Sequence, residues 1–438
     1  MITRIKIDGF KSFSNFEVEL KPFNVIVGAN GSGKSNLLDA LRLLRDLSNY
    51  SIAEAFSRQR GTASELFTKY PDGTSAQEMK FEVDVFYVNH YDEEKRNQFR
   101  IRYSFTIAKV TIEKLDKLVA TQEDIFTIPP HTDKWLDDNI PDEYKSEWLS
   151  NLYTKITHLN NEQPQHELII QRGGNYTNEQ ETGIPMLTYE VLPIMFRQCI
   201  KQLKFLDLDP KKLREPSPVR GNDILKENGQ NLPAVLHRMA VNDTRVLKHI
   251  AITLNYVLST HKDIRIKHNK DENKYYIELK SKKDIWFNAR LLSESTLRVL
   301  AFLVLKFDEE HQGPLCIEEP ENGVHHTRIK AILETLLDIS SDFSSEPFEK
   351  EMLKQVFITS HSPVLLSKAL KLKGNIGLFH AQIVSAVNYI PGYILDITQI
   401  YPIQQEENSP NITLNIGERH IYAKQVIDYL ESTKNTED

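Results

Sequence analysis

The sequence predicts an α/β protein with a mixed, largely parallel core sheet, an antiparallel β subdomain and a helical insertion. Three observations predict it. Residues 28–35 read GANGSGKS between an apolar strand and an amphipathic helix. Two later segments alternate apolar and polar residues with the period of strands. The stretch from 111 to 200 turns polar and carries only short helical patches.

The chain opens with Ile2, Ile5 and Ile7, followed by a turn at GFKSF, Gly9 to Phe13. Phe23, Val25, Ile26 and Val27 form the apolar strand, and Leu37, Leu38, Leu41, Leu44 and Leu47 share one face of the helix that follows. Between them lies G-x-x-x-x-G-K-[ST], the phosphate loop of P-loop NTPases. Glycines let the backbone curl until successive N–H groups face one anion, and the helix N-terminus adds partial positive charge. Asn30, Gly31, Ser32 and Gly33 supply that cradle. Lys34 is placed to reach the β- and γ-phosphates of ATP, and the Ser35 hydroxyl to ligate Mg²⁺.

Met79, Phe81, Val83, Val85 and Tyr87 share one strand face, as do Phe99, Ile101, Tyr103, Phe105 and Ile107. The polar link Asn89–Gln98 joins them as an antiparallel pair. Trp148, Leu149, Leu152, Ile156 and Leu159 have helical spacing inside the polar insertion. Long heptads are absent, which argues against an extended coiled-coil arm. Leu203–Leu208 reads as a strand returning to the core, Asn231–Leu258 as helix, Lys274–Leu279 as strand and Ile421–Leu430 as a terminal helix. The resulting division is 1–110 and 201–373 as two parts of one ATPase unit, 111–200 as the insertion and 374–438 as a C-terminal extension.

Three further segments complete a nucleotide site. Leu315–Glu319 is a short apolar strand ending in two carboxylates. Glu318 is placed to hold Mg²⁺ beside Ser35, and Glu319 to polarise the attacking water; a solvated acidic loop is the plainer alternative. Val356–Ser362 is a buried-looking strand ending in His361, positioned to hydrogen-bond the γ-phosphate. A histidine at a strand end is also commonly structural. Leu292–Arg298 reads LSESTLR before an apolar helix. Ser293 is first a helix N-cap, and with Ser295 a second set of γ-phosphate ligands.

Bulk properties bound the function. The 438 residues carry a formal charge of −7, which argues against binding nucleic acid over the whole surface. Local basic stretches remain: Lys201, Lys204, Lys211, Lys212, Arg214 and Arg220, then His261, Lys262, Arg265, Lys267, Lys270, Lys282 and Lys283. They are solvated faces or a DNA contact. The two cysteines imply no disulfide framework and fit a reducing cytoplasm. The charged, alternating N-terminus is not expected to be a signal peptide, and no apolar run suggests a membrane span.

GFKSF, GANGSGKS, LSEST, LCIEEPENGVHH and VFITSHS occur in the order found in ABC-type ATPase heads. They resemble the branch of SMC, RecF and OLD-type proteins, and most of all its stand-alone bacterial ATPases with an AAA-type core. The resemblance implies a P-loop NTPase head of ABC type that dimerises over ATP, with Lys34 and Ser35 of one subunit facing Ser293 of the other. It also places His325 and His326 in a dimer-contact loop; a metal site is the alternative for this pair. Two departures stand out. Ser295 occupies the place of a signature glycine, and Glu318 replaces the commoner Asp; either change is expected to slow hydrolysis. No glutamine clearly matches the family's Q-loop, Gln59 and Gln77 being weak candidates. OLD-type relatives append a metal-dependent nuclease, but no D-x-D follows His361, and Asp207 with Asp209 lies upstream in a loop. The implied function is a cytoplasmic ATPase switch of bacterial anti-phage defence, a homodimer or higher oligomer controlling a separately encoded nuclease or toxin, without a membrane role. A RecF-like ATP-dependent DNA-binding repair protein and a slow-turnover ATP-bound scaffold are the alternatives.

Overall fold

In the computed structural model, residues 1–88, 98–112, 115–141, 155–159, 168, 170, 187–219, 224–343, 353–387, 394–404 and 421–434 are described. The centre is a seven-stranded mixed sheet, ordered β17-β16-β15-β3-β14-β13-β8. Its strands are β3 (Phe23–Val27), β8 (Lys204–Leu206), β13 (Pro314–Glu318), β14 (Gln355–Ser360), β15 (Ile376–Val387), β16 (Ile394–Gln404) and β17 (Ile421–Tyr422). β8, β13, β14, β3 and β15 all pair in parallel, and β16 returns antiparallel to β15. Parallel strands are covered on both faces, and these read accordingly: every residue of β3 and β14 is buried.

Alternation sorts their side chains into two cores. Ile26 and Phe357 face the helix Lys34–Leu47 and, beyond it, a six-stranded antiparallel sheet. Val25, Val27, Val356 and Ile358 face a layer built by the helices Leu232–Asn242, Val246–Leu258, Glu294–Phe307, Ile329–Leu337 and Pro363–Ala369. The antiparallel sheet, ordered β2-β1-β4-β5-β6-β7, comprises β1 (Ile2–Asp8), β2 (Phe16–Glu19), β4 (Glu78–Val88), β5 (Gln98–Ile112), β6 (Leu115–Thr127) and β7 (Lys155–Leu159). A third sheet joins β10 (His261–Asn269), β11 (Lys274–Ser281) and β12 (Trp286–Asn288), with β9 (Ser217–Pro218) paired to β11.

The α/β class, the mixed core sheet and the antiparallel β4–β5 pair agree with the sequence reading, with Gln98 falling inside β5 opposite Val88 instead of in the link. Several boundaries differ. Residue 111 falls inside β5, and β6 continues the same sheet, because Val119, Ala120 and Ile125 bury one face each despite a polar average. Ile156 and Leu159 belong to β7, a strand paired with β6, rather than to a helix. Trp148, Leu149 and Leu152 lie outside the described residues. The segment 374–438 is no appendage: β15 enters the core sheet beside β3, with Ile376 opposite Phe23 and His380 opposite Val27. Residues 231–258 form two helices, broken at Asp243 to Arg245.

One buried side chain ties the two large sheets together. Gln355, the first residue of β14, is fully buried. It accepts from the Ile2 N–H (3.0 Å) and donates to the Ile2 carbonyl (2.6 Å) and the Lys21 carbonyl (2.9 Å). Gln355→Leu keeps the volume but strands these three buried backbone groups. It is expected to lower unfolding free energy by on the order of 3 kcal/mol in urea titration, whereas an unchanged midpoint would deny the tie its role.

Candidate functional site

The parallel register of β3, β14 and β13 sets the site. Val27 lies opposite Ser360, and Thr359 opposite Glu318, so the C-terminal ends of all three strands finish side by side. Ligands of open α/β sheets bind at such carboxyl ends. The GANGSGKS turn leaves β3 here, held by the Gly28 N–H donating to the Ser360 carbonyl at 3.1 Å.

Gly31 and Gly33 sit at φ +75° and +92°, in the left-handed region that glycine adopts without strain. A Cβ on Gly33 would also collide with the Thr398 side chain. The helix Lys34–Leu47 starts on this turn, so its first N–H groups face the loop. The Lys34 amine is buried and donates to the Gly28 and Ala29 carbonyls, 2.8 Å each. Burial pulls its pKa down, against the opposing pull of Glu319, Glu318 and Glu321. The Ser32 hydroxyl is buried and has no hydrogen-bond partner among the described residues. The Ser35 hydroxyl donates to Glu318 Oε2 at 3.3 Å.

Glu319 follows at φ +47°, a left-handed turn fixed by its N–H donating to the Thr359 carbonyl at 2.8 Å. That turn swings its carboxylate to the same side as Glu318. Oε1 lies 2.7 Å from His361 Nδ1, and Oε2 accepts from Asn322 Nδ2 at 2.7 Å. Burial pushes the Glu319 carboxyl up, but the hydrogen bonds from Asn322 and His361 outweigh it and hold the group below its usual range. It is therefore ionised at neutral pH. Glu321 behaves oppositely: burial raises its pKa, and it accepts from the Ser360 hydroxyl.

Lys34, Ser35, Glu318, Glu319 and His361 thus converge within one chain. Among the described residues Ser293 and Ser295 hydrogen-bond to none of these five. Ser293 caps its helix, accepting from the Thr296 N–H at 3.2 Å, and its hydroxyl lies 3.1 Å from that of Ser295 and 2.7 Å from that of Thr296. Gln59 is spent on Asp46 and the Ala55 carbonyl. His325 and His326 are exposed with rings 4.2 Å apart, and no cluster of three or more metal-ligating side chains occurs among the described residues. Asp209 caps the short helix Pro210–Leu213.

Sequence reasoning missed four contributors. Thr398 of β16 donates to the Ser32 carbonyl (3.3 Å), and its N–H donates to the Ser12 carbonyl (2.8 Å), bracing the loop from below. The Ser12 hydroxyl accepts from Asn36 (2.7 Å). Ala381 closes on Gly28, where any Cβ would lie 2.4 Å from the Ala381 carbonyl. Asn322 was readable in E-E-P-E-N; nothing local marks Thr398 or Ala381.

A family model described as AAA ATPase domain matches residues 1–366. The chain belongs to the AAA ATPase domain family. Membership makes it an ATPase with a P-loop fold. No curated protein matches it. Solved structures similar to this AAA ATPase include an SMC head bound to the C-terminal winged-helix domain of ScpA: 13% identity, TM-score 0.49, covering 92% of this chain and 97% of that one. The SMC head domain from Thermotoga maritima shows 11% identity and TM-score 0.40, covering 92% and 99%. An SMC head with an extended coiled coil, bound to the C-terminal domain of ScpA, derived from Pyrococcus furiosus, shows 12% identity and TM-score 0.46, covering 99% of each chain. No helix among the described residues is long and apolar enough to cross a membrane.

A buried histidine flanks the loop of this AAA ATPase. His380 stands beside Val27, neither ring nitrogen hydrogen-bonded among the described residues, its pKa pulled from 6.5 to about 4 by burial and then by the Lys34 charge. His311, fully buried, is pulled to about 3 by burial, Lys204 and Lys354. In each case the unfolded chain takes up the proton first, so stability falls as pH drops from about 6.5 toward 4. His380→Phe should show a smaller loss of unfolding free energy between pH 7.5 and 5 than wild type; parallel curves would remove His380 from this linkage.

Proposed function

We propose that this ATPase is a nucleotide-operated switch of bacterial anti-phage defence. Two copies close over ATP and control a separately encoded effector such as a nuclease or toxin. The carrying observation is the split of the site. Five groups converge in one chain, while among the described residues the hydrogen bonds given for Ser293 and Ser295 stay on their own helix cap. A second copy is the simplest source of the missing half.

The roles follow from the distances. Lys34 leaves the Gly28 and Ala29 carbonyls to meet the β- and γ-phosphates. The buried Ser32 hydroxyl and the loop N–H groups cradle phosphate oxygens. The hydroxyl of Ser35 and the carboxylate of Glu318, 3.3 Å apart, are hard oxygen donors of the kind Mg²⁺ prefers. When bound, Mg²⁺ neutralises charge building on the phosphate oxygens. Glu319, ionised and aimed by Asn322 and His361, orients the attacking water and accepts its proton. His361 then touches both that carboxylate and the γ-phosphate, reporting whether phosphate is present. Ser295 at the signature adds a side chain where closure brings the two halves together, which suits slow turnover and a switch rather than a motor.

A RecF-like DNA clamp is less well supported. Part of the second basic stretch is paired internally: Lys262 with Asp284, and Arg265 and Lys267 with Glu278. Arg220 lies outside the described residues.

Lys34→Ala should abolish ATP binding in calorimetry; retained affinity would sink the loop assignment. Glu319→Gln should keep ATP bound, cut turnover at least a hundredfold and accumulate a dimer in mass photometry. Capture of that variant from its native host should bring down a stoichiometric effector that wild type releases on hydrolysis. Recovery of DNA without protein, with DNA-stimulated hydrolysis, would favour the repair reading.

A further inference from the structure

Two residues past Glu319 the chain buries a third acid. Residues 319–324 fold through two successive turns, the Asn322 N–H donating to the Glu319 carbonyl and the Val324 N–H to the Glu321 carbonyl, 3.0 Å each. Asn322 is left exposed, while Glu321 is only 9% exposed. One carboxyl oxygen of Glu321 accepts from the Ser360 hydroxyl, and the other has no hydrogen-bond partner among the described residues. Burying a half-satisfied carboxyl is costly, and an apolar side chain would fill the place without that cost. The acid therefore needs a reason to be there.

The residue it holds is a junction. Ser360, the last residue of β14, is fully buried. Its carbonyl accepts from the Gly28 N–H at 3.1 Å, where the phosphate loop begins. Its hydroxyl oxygen accepts from the Ser362 N–H at 2.9 Å, and its hydrogen goes to Glu321. Ser362 in turn caps the helix Pro363–Ala369, its hydroxyl accepting from the Leu365 N–H at 3.3 Å. His361 lies between these two serines. Its one side-chain hydrogen bond among the described residues runs to Glu319. The ring is therefore aimed by the backbone on either side of it, and a Ser360 hydroxyl free to rotate would release one of those sides.

We infer that Glu321 is a positioning residue for ATP hydrolysis, fixing the Ser360 hydroxyl so that Ser360 and Ser362 hold His361 against Glu319. The inference rests on the roles proposed above for Glu319 and His361. Glu321 itself touches no reacting atom. Its effect passes through a chain of hydrogen bonds, from its carboxyl to the Ser360 hydroxyl, from that oxygen to the Ser362 N–H, and from His361 to Glu319. Ser360 requires only an acceptor oxygen, so a carboxamide serves at 321 where a hydrocarbon does not.

Steady-state ATP hydrolysis by the full-length chain with Mg²⁺ tests this. Glu321→Leu should lower kcat at least tenfold while KM changes less than twofold. Ser360→Ala should do the same, and the double variant should be no slower than the slower single one. Glu321→Gln should keep kcat within about threefold of wild type. Introduced into His361→Ala, Glu321→Leu should cost less than twofold more. The inference is overturned if Glu321→Leu keeps its full cost in that background, if KM rises in step with the fall in kcat, or if Glu321→Gln is as slow as Glu321→Leu. Wild-type kcat in folded Glu321→Leu overturns it as well. Should Glu321→Leu fail to fold, Ser360→Ala decides, and wild-type kcat there overturns the inference. Full turnover in Glu319→Gln or His361→Ala would instead overturn the roles on which it rests. Slow turnover in those two beside wild-type turnover in Glu321→Leu and Ser360→Ala would overturn the positioning alone.

Discussion

Parallel pairing of β14 with β3 on one side and β13 on the other is the constraint from which the site follows. The pairing sets Val27 beside Ser360 and Glu318 beside Thr359. A slip of one residue in either register would turn every side chain of that strand to the opposite face. Ile26 and Phe357 would leave one core, and Val25, Val356 and Ile358 the other. Burial of both faces therefore locks the register, and the register in turn brings the loop, the paired carboxylates and His361 to a single edge.

The backbone at that edge is bent to suit. Glu319 takes a left-handed conformation although it is not glycine, which costs on the order of 1 kcal/mol and persists only where the surroundings impose it. The surroundings here are its N–H bond to the Thr359 carbonyl and the paired grip of Asn322 and His361 on its carboxylate. Consecutive strand residues point to opposite faces; only this turn lets Glu318 and Glu319 serve one site. The same neighbourhood sorts the acids. Glu319, hydrogen-bonded by two donors, stays charged, while the more deeply buried Glu321 is pushed toward the neutral form.

The phosphate loop rests on parts distant in sequence. Thr398 and Ala381 crowd the space under Gly33 and Gly28, so both glycines are needed for close approach as well as for dihedral freedom. β15 and β16, which look like a C-terminal extension on composition, form the floor of the loop. Gln355 performs the matching task at the other end of the sheet, fastening β1 to the start of β14.

Local pattern alone determined the strand–loop–helix unit at 23–47, the β4–β5 pair, the Glu318–Glu319 tip and the strand before His361. Each of these is written in contiguous residues whose spacing matches a backbone period. Tertiary structure alone decided that β6 continues the antiparallel sheet, that β15 joins the core and that Thr398 braces Ser32. It also decided that Ser293 caps its own helix. These outcomes depend on which strands become neighbours and which buried polar atoms find partners. For β15 and Thr398 those are contacts between residues hundreds of positions apart, and no local spacing encodes them.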